Sequence, residues 1–140
     1  MRHRRDALRR RLAAGALPLL LVCAPLATAE AAGCDVHHQP FVEGGVAQGT
    51  MRVVNDGTGC AFTFKFGGNF EPSDWKIEVA PAHGRIEIAT GQVTYVPAAG
   101  YVGLDAFTLA VFGFNPMLAH GHRARDGRFA FKVVVRRSSL

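Results

Sequence analysis

Cys60-Ala-Phe-Thr-Phe-Lys-Phe66 alternates without a break: Cys60, Phe62, Phe64 and Phe66 fall on one side of an extended chain and Ala61, Thr63 and Lys65 on the other. A period of two is the signature of a half-buried strand, since successive side chains leave a pleated backbone on opposite faces. The same reading holds for Trp75-Lys-Ile-Glu-Val79, for Arg85-Ile-Glu-Ile88, and for Arg128-Phe-Ala-Phe-Lys-Val-Val-Val135, where Phe129, Phe131, Val133 and Val135 share a face. Asn55-Asp56-Gly57, Gly67-Gly68-Asn69, Pro81-Ala-His-Gly84 and Gly91 separate these runs with turn chemistry.

Outward from these runs, the spacing predicts seven or eight strands, at about 36–42, 49–55, 60–66, 75–80, 85–89, 92–96, 106–112 and 128–136. No amphipathic helix of three turns is expected. From residue 30 onward there are thirteen Val and ten Phe against four Leu, with fifteen Gly, a balance that suits pleated, turn-rich structure. Strands of this length and spacing predict an all-β fold. The expected form is an antiparallel two-sheet sandwich, each strand burying one face against the other sheet, with a small closed barrel as the competing arrangement.

The first 29 residues read differently. Six arginines against one acid in Met1 to Arg11 precede a Leu/Ala-rich run ending at Ala27-Thr28-Ala29. These are the three regions of a secretory signal peptide, with cleavage expected after Ala29. Pro18 and Pro25 interrupt the apolar run, which falls short of the ~20 residues that span a bilayer. Val22 before Cys23 argues against a lipid-modified cysteine, and His3-Arg4-Arg5-Asp6-Ala7-Leu8-Arg9 is a loose twin-arginine match. The expectation is an exported protein, periplasmic or extracellular, with residues 30–140 as one domain and no membrane attachment after cleavage.

This division accounts for the charge. The whole chain of 140 residues carries a formal +5, but six of its 16 basic and one of its 11 acidic residues lie in 1–29, leaving ten of each beyond. Balanced charge and an exported location give nucleic-acid binding no support. Cys34 and Cys60 are the two cysteines beyond the leader. An even pair in an oxidising compartment predicts a disulfide, whereas a metal pair would want a CxxC spacing or a third sulfur ligand that the sequence lacks.

Residues 81–113 carry a resemblance. Pro81-Ala-His-Gly84, Tyr95-Val-Pro97 and Gly100-Tyr101-Val-Gly103-Leu-Asp105-Ala-Phe107 resemble the bacterial Ig-like or cadherin-like repeat, with a P-x-x-G turn, a strand ending Y-x-P, and G-Y-x-G-x-D-x-F before the penultimate strand. The resemblance extends loosely to 128–135 and implies an Ig-like sandwich. The residues make sense in their own right: Pro97 ends a strand because it has no N–H to donate, and Gly100 and Gly103 permit turn conformations. Tyr101 caps one end of the sandwich, Asp105 accepts backbone N–H groups, and Phe107 enters the core. Calcium-binding members of the family use clustered acidic loop residues, and here Asp105 and Asp126 are isolated.

The resemblance implies a short turn between the last two strands, but this chain inserts Phe114 to Gly127. Long ordered loops are often functional. This one combines Phe114, Met117 and Leu118 with His120, His122, Arg123 and Arg125, and Arg128 follows. His120 and His122 could ligate zinc or copper with help from His37 and His38. The Arg and His residues could instead hold an anion or an anionic cell-envelope polymer, or the loop could be solvated without a ligand. No G-x-S-x-G occurs in the mature chain, and a His/Asp dyad such as His83 with Asp105 is the acid–base arrangement to consider. The expected function is non-enzymatic and without a cofactor. It is that of an interaction, adhesion or structural module whose partner is a protein or an envelope polymer, with a metal-binding protein using His120 and His122 as the alternative.

Overall fold

The computed structural model describes residues 33–66, 69–117 and 125–139. The signal peptide expected over residues 1–29, and His120, His122 and Arg123, lie outside them. Eight strands follow in order: β1 (Cys34–His38), β2 (Val46–Asn55), β3 (Cys60–Thr63), β4 (Glu71–Val79), β5 (Gly84–Ala89), β6 (Gln92–Pro97), β7 (Gly103–Phe114) and β8 (Arg125–Arg137). They form a five-stranded sheet, β1-β2-β8-β7-β4, and a three-stranded sheet, β3-β6-β5. The described residues are all-β, as their alternation predicts.

One pairing departs from the expected antiparallel sandwich. β2 runs parallel to β8 over ten residue pairs, from Val46↔Arg128 to Asn55↔Arg137. Alternation sets which face of a strand is buried and not which strand lies beside it, so the sequence pattern is equally compatible with either direction.

The two inner faces share one core. Met51 and Val53 from β2, Leu109 and Val111 from β7, and Phe129, Phe131, Val133 and Val135 from β8 meet Cys60, Val93 and Tyr95 from the smaller sheet. Phe107 stacks between the layers, 5.0 Å from Phe131 and 6.0 Å from Tyr95 by ring centroids. Burying a side chain of this size contributes roughly 1.5–3 kcal/mol. Close packing also constrains the backbone. A Cβ on Gly49 would collide with the Phe131 ring, so the glycine makes room for its partner on the neighbouring strand.

Several strand ends shift from expectation for identifiable reasons. β3 stops at Thr63, which pairs with Gln92, the first residue of β6; its partner has run out. Phe64 nevertheless stays buried and Phe66 packs against the core without a ladder. β4 begins at Glu71 and includes Pro72, which an edge strand tolerates, beside a register shift between Pro72 and Asp74. β7 and β8 extend towards each other until Gly113 pairs with Arg125. The connection expected over 114–127 is therefore shorter, covering 115–124.

The disulfide between Cys34 and Cys60 joins β1 to β3, and so one sheet to the other. Cys60 is fully buried. A buried bridge of this kind suits an oxidising, exported compartment.

Candidate functional site

The elongated β7–β8 hairpin stands on an aromatic base at one end of the sandwich. Phe41 lies 4.3 Å from Phe70 and 5.4 Å from Phe66, while Phe64 stacks between Phe129 at 4.3 Å and Trp75 at 5.1 Å. Such ring pairs add about 0.5–1.5 kcal/mol beyond the area they bury. The hairpin backbone is pressed onto these rings. A Cβ on Gly127 would strike Phe41, and one on Gly113 would strike Phe70 and the Glu71 carbonyl. The base of the hairpin is thus packed directly against an aromatic platform.

Above the platform, Asn115 is buried and its Oδ1 accepts the Met117 N–H at 2.9 Å, an Asx turn that redirects the chain. Met117 beyond it is 72% exposed. Arg128, on the outer face below, is neutralised internally: its Nε donates to both Glu78 oxygens at 3.0 and 2.8 Å, and Asp126 lies 3.8 Å from Nη1. Hydrogen bonding to Glu78 holds the guanidinium pKa above its ordinary value. Arg128 is therefore not a free charge for an anion. Arg125 belongs to β8, paired with Gly113, rather than to a loop.

The opposite end gathers the residues from Pro81 to Phe107. Asp105 is the hub. Its carboxylate accepts the Ala82 N–H at 2.9 Å, the His83 N–H at 3.0 Å, the Ala106 N–H at 2.9 Å and the hydroxyl of fully buried Tyr95 at 2.8 Å. Burial pushes the Asp105 pKa up, but the bonds from Tyr95, Ala106, His83 and Ala82 outweigh it and hold the carboxyl below its usual value. Burial, followed by the bond to Asp105, drives the Tyr95 hydroxyl well above its ordinary value.

His83 is not an acid–base partner of Asp105. Only its backbone N–H reaches the carboxylate, while its imidazole lies flat on Tyr101, 4.1 Å away with 7° between planes. The Tyr101 hydroxyl donates to the Leu104 carbonyl at 2.6 Å and closes over Gly103, where a Cβ would sit 2.8 Å from the hydroxyl oxygen. Gly84 is equally confined, by the Val96 carbonyl and the Tyr95 ring. Pro97 is the last residue of β6.

Gly100 presents a different constraint. It has φ +73°, and a Cβ placed on it would meet only open space. Gly100→Ala is therefore expected to cost about 1 kcal/mol from left-handed backbone strain alone, measurable as a shift in urea midpoint with unchanged slope.

Asn55, at the end of β2, also works here. Asn55 Nδ2 donates to the carbonyls of Ala98 at 2.8 Å and Tyr101 at 3.0 Å, tying the end of β2 to the β6–β7 corner.

A hollow of about 420 Å³ on the outer face of the five-stranded sheet is lined by Asp35, His37, Arg52, Leu104, Lys132 and Val134 among others. The Asp35 carboxylate is engaged by the His37 imidazole at 3.0 Å and by the Arg52 guanidinium at 3.6 Å. Among the described residues, no group of three or more His, Cys, Asp or Glu could hold a metal ion. Compared with known proteins, the chain matches no family model and no curated protein.

Proposed function

We propose that the protein is an exported, non-catalytic Ig-like module that binds a protein or polymer of the cell envelope through the β7–β8 hairpin. The single observation that carries this reading is the exposed apolar side chain of Met117, set by the Asn115 turn beside an aromatic platform at the base of the hairpin. Binding residues commonly sit on loops held by a stiff scaffold. An exposed apolar side chain on a fixed base can contribute to binding with little ordering cost.

The strand order supports the Ig-like part of the reading. β3-β6-β5 against β4-β7-β8 has the arrangement of the B-E-D and C-F-G strands of immunoglobulin-type sandwiches. Tyr101 stands at the corner before the penultimate strand, where such folds often place a tyrosine, although its hydroxyl bonds downstream, to Leu104. The arginine-rich leader and the Cys34–Cys60 bridge both support export.

A photo-crosslinking residue at Met117, introduced into the full chain in cells, is expected to capture a discrete envelope partner. The same probe at Asp56, on an exposed turn at the other end, is expected not to. Identical capture patterns from the two positions would remove the hairpin from the proposal.

A further inference from the structure

We propose that a second copy of this chain pairs antiparallel along β5, joining two three-stranded sheets into one continuous six-stranded sheet about a two-fold axis. Four strands form the sheet edges: β1 and β4 in the larger sheet, β3 and β5 in the smaller. β1 and β3 are stitched together by the Cys34–Cys60 bridge, and β3 has only four residues. β4 carries Pro72 and two register shifts, the usual devices against edge pairing. β5 has neither. All six of its residues pair in unbroken register with β6, leaving the outward-pointing backbone groups of its other edge as a template for another strand.

The side chains of β5 select a second copy and a single register. Arg85 and Glu87 point to solvent, while Ile86 and Ile88 face inward and are only partly buried. When two antiparallel β5 strands meet with Ile86 opposite Ile86, Arg85 of each lies opposite Glu87 of the other. Shifting by two residues in one direction puts Arg85 opposite Arg85, and in the other puts Glu87 opposite Glu87, with like charges directly opposed. The isologous contact thus has charge complementarity in one register and repulsion in its neighbours. In the single chain Arg85 and Glu87 bridge each other at 2.8 Å, both more than half exposed. The same two groups exchange partners across the axis. Ile77 and Val79 of β4, 39% and 54% exposed, precede the turn to β5.

Charge-reversed variants test the pairing, using protein purified from cells expressing the full chain and sedimentation over a concentration series. The wild type is expected to shift from monomer to dimer as concentration rises. Glu87→Arg and Arg85→Glu each turn two attractive pairs into repulsive ones and are expected to weaken self-association about tenfold or more. Mixing the two variants pairs Arg with Glu at both positions and is expected to restore dimer formation. The double exchange R85E/E87R is expected to dimerise like the wild type. A wild type that stays monomeric at every concentration, or a mixture that associates no better than either variant alone, overturns the proposal.

Discussion

Asp105→Ala is expected to destabilise the protein by about 3 kcal/mol, seen as a Tm lower by roughly 15 °C. The substitution deprives three donors other than the residue's own neighbour: the fully buried Tyr95 hydroxyl and the N–H groups of Ala82 and His83. An unsatisfied buried donor costs roughly 1–3 kcal/mol, and the two turn amides recover part of theirs from water. The loss also takes away the link from β7 to the Pro81–Gly84 turn and to β6, so native-state hydrogen exchange is expected to accelerate first at that end.

The same bond sets a pH profile with two limbs. The Asp105 pKa is lowered in the folded protein, so its contribution is present above the unfolded carboxylate value near ~3.9 and is lost as pH falls through the folded value. The Tyr95 pKa is raised, so its contribution is present below the unfolded phenol value near ~10 and is lost as pH rises above it. Asp105→Asn is expected to flatten the acid limb of a stability-versus-pH curve. Tyr95→Phe is expected to cost about 1.5 kcal/mol at neutral pH and to flatten the alkaline limb. Curves with wild-type curvature in both variants would place the titrating groups elsewhere.

Removing the disulfide is expected to have an effect of comparable size. Cys34 and Cys60 are separated by 26 positions, and closing a loop of that length restricts the unfolded chain by about 3.5 kcal/mol in the chain-entropy account. Cys34→Ala/Cys60→Ala also leaves a small void at fully buried Cys60. Urea unfolding of the double variant, beside the reduced wild type, separates the two contributions. A midpoint for the double variant within error of the oxidised protein would show that the native contacts of β1 already hold the ends together.

Much of this architecture was legible from local pattern. The alternation at 60–66 and 128–135 identifies the inward residues correctly because burial of one face is a property of each strand separately. The Cys34–Cys60 bridge follows from cysteine parity. What the pattern could not carry is long-range. The parallel partnership of β2 with β8 depends on how the sandwich closes. Asn55 reads locally as a turn residue, yet its amide spans 43 and 46 positions to reach Ala98 and Tyr101. Arg128 reads as a free cation, yet its partner Glu78 lies 50 positions away on β4, at the register shift between Ile77 and Val79. For Asp105, the sequence indicated an acceptor of backbone N–H groups, but the donors Ala82 and His83 come from a turn more than twenty residues upstream. Of the β7–β8 hairpin, the pairing of Gly113 with Arg125 and the turn at Asn115 took shape only once the strands were paired.

The bridge also fixes how the molecule transmits tension. A pull between the chain ends enters at Cys34 and crosses directly to Cys60, because the covalent link is far shorter than the 26-position segment it spans. β1 and β2 then lie outside the covalent load path, and the force passes along the chain to β3 and its ladder with β6. Reduction inserts β2 into the path, where its parallel ladder with β8 must be sheared along its whole length rather than opened one bond at a time. The oxidation state of a single cysteine pair thus decides which part of the sandwich yields first under load.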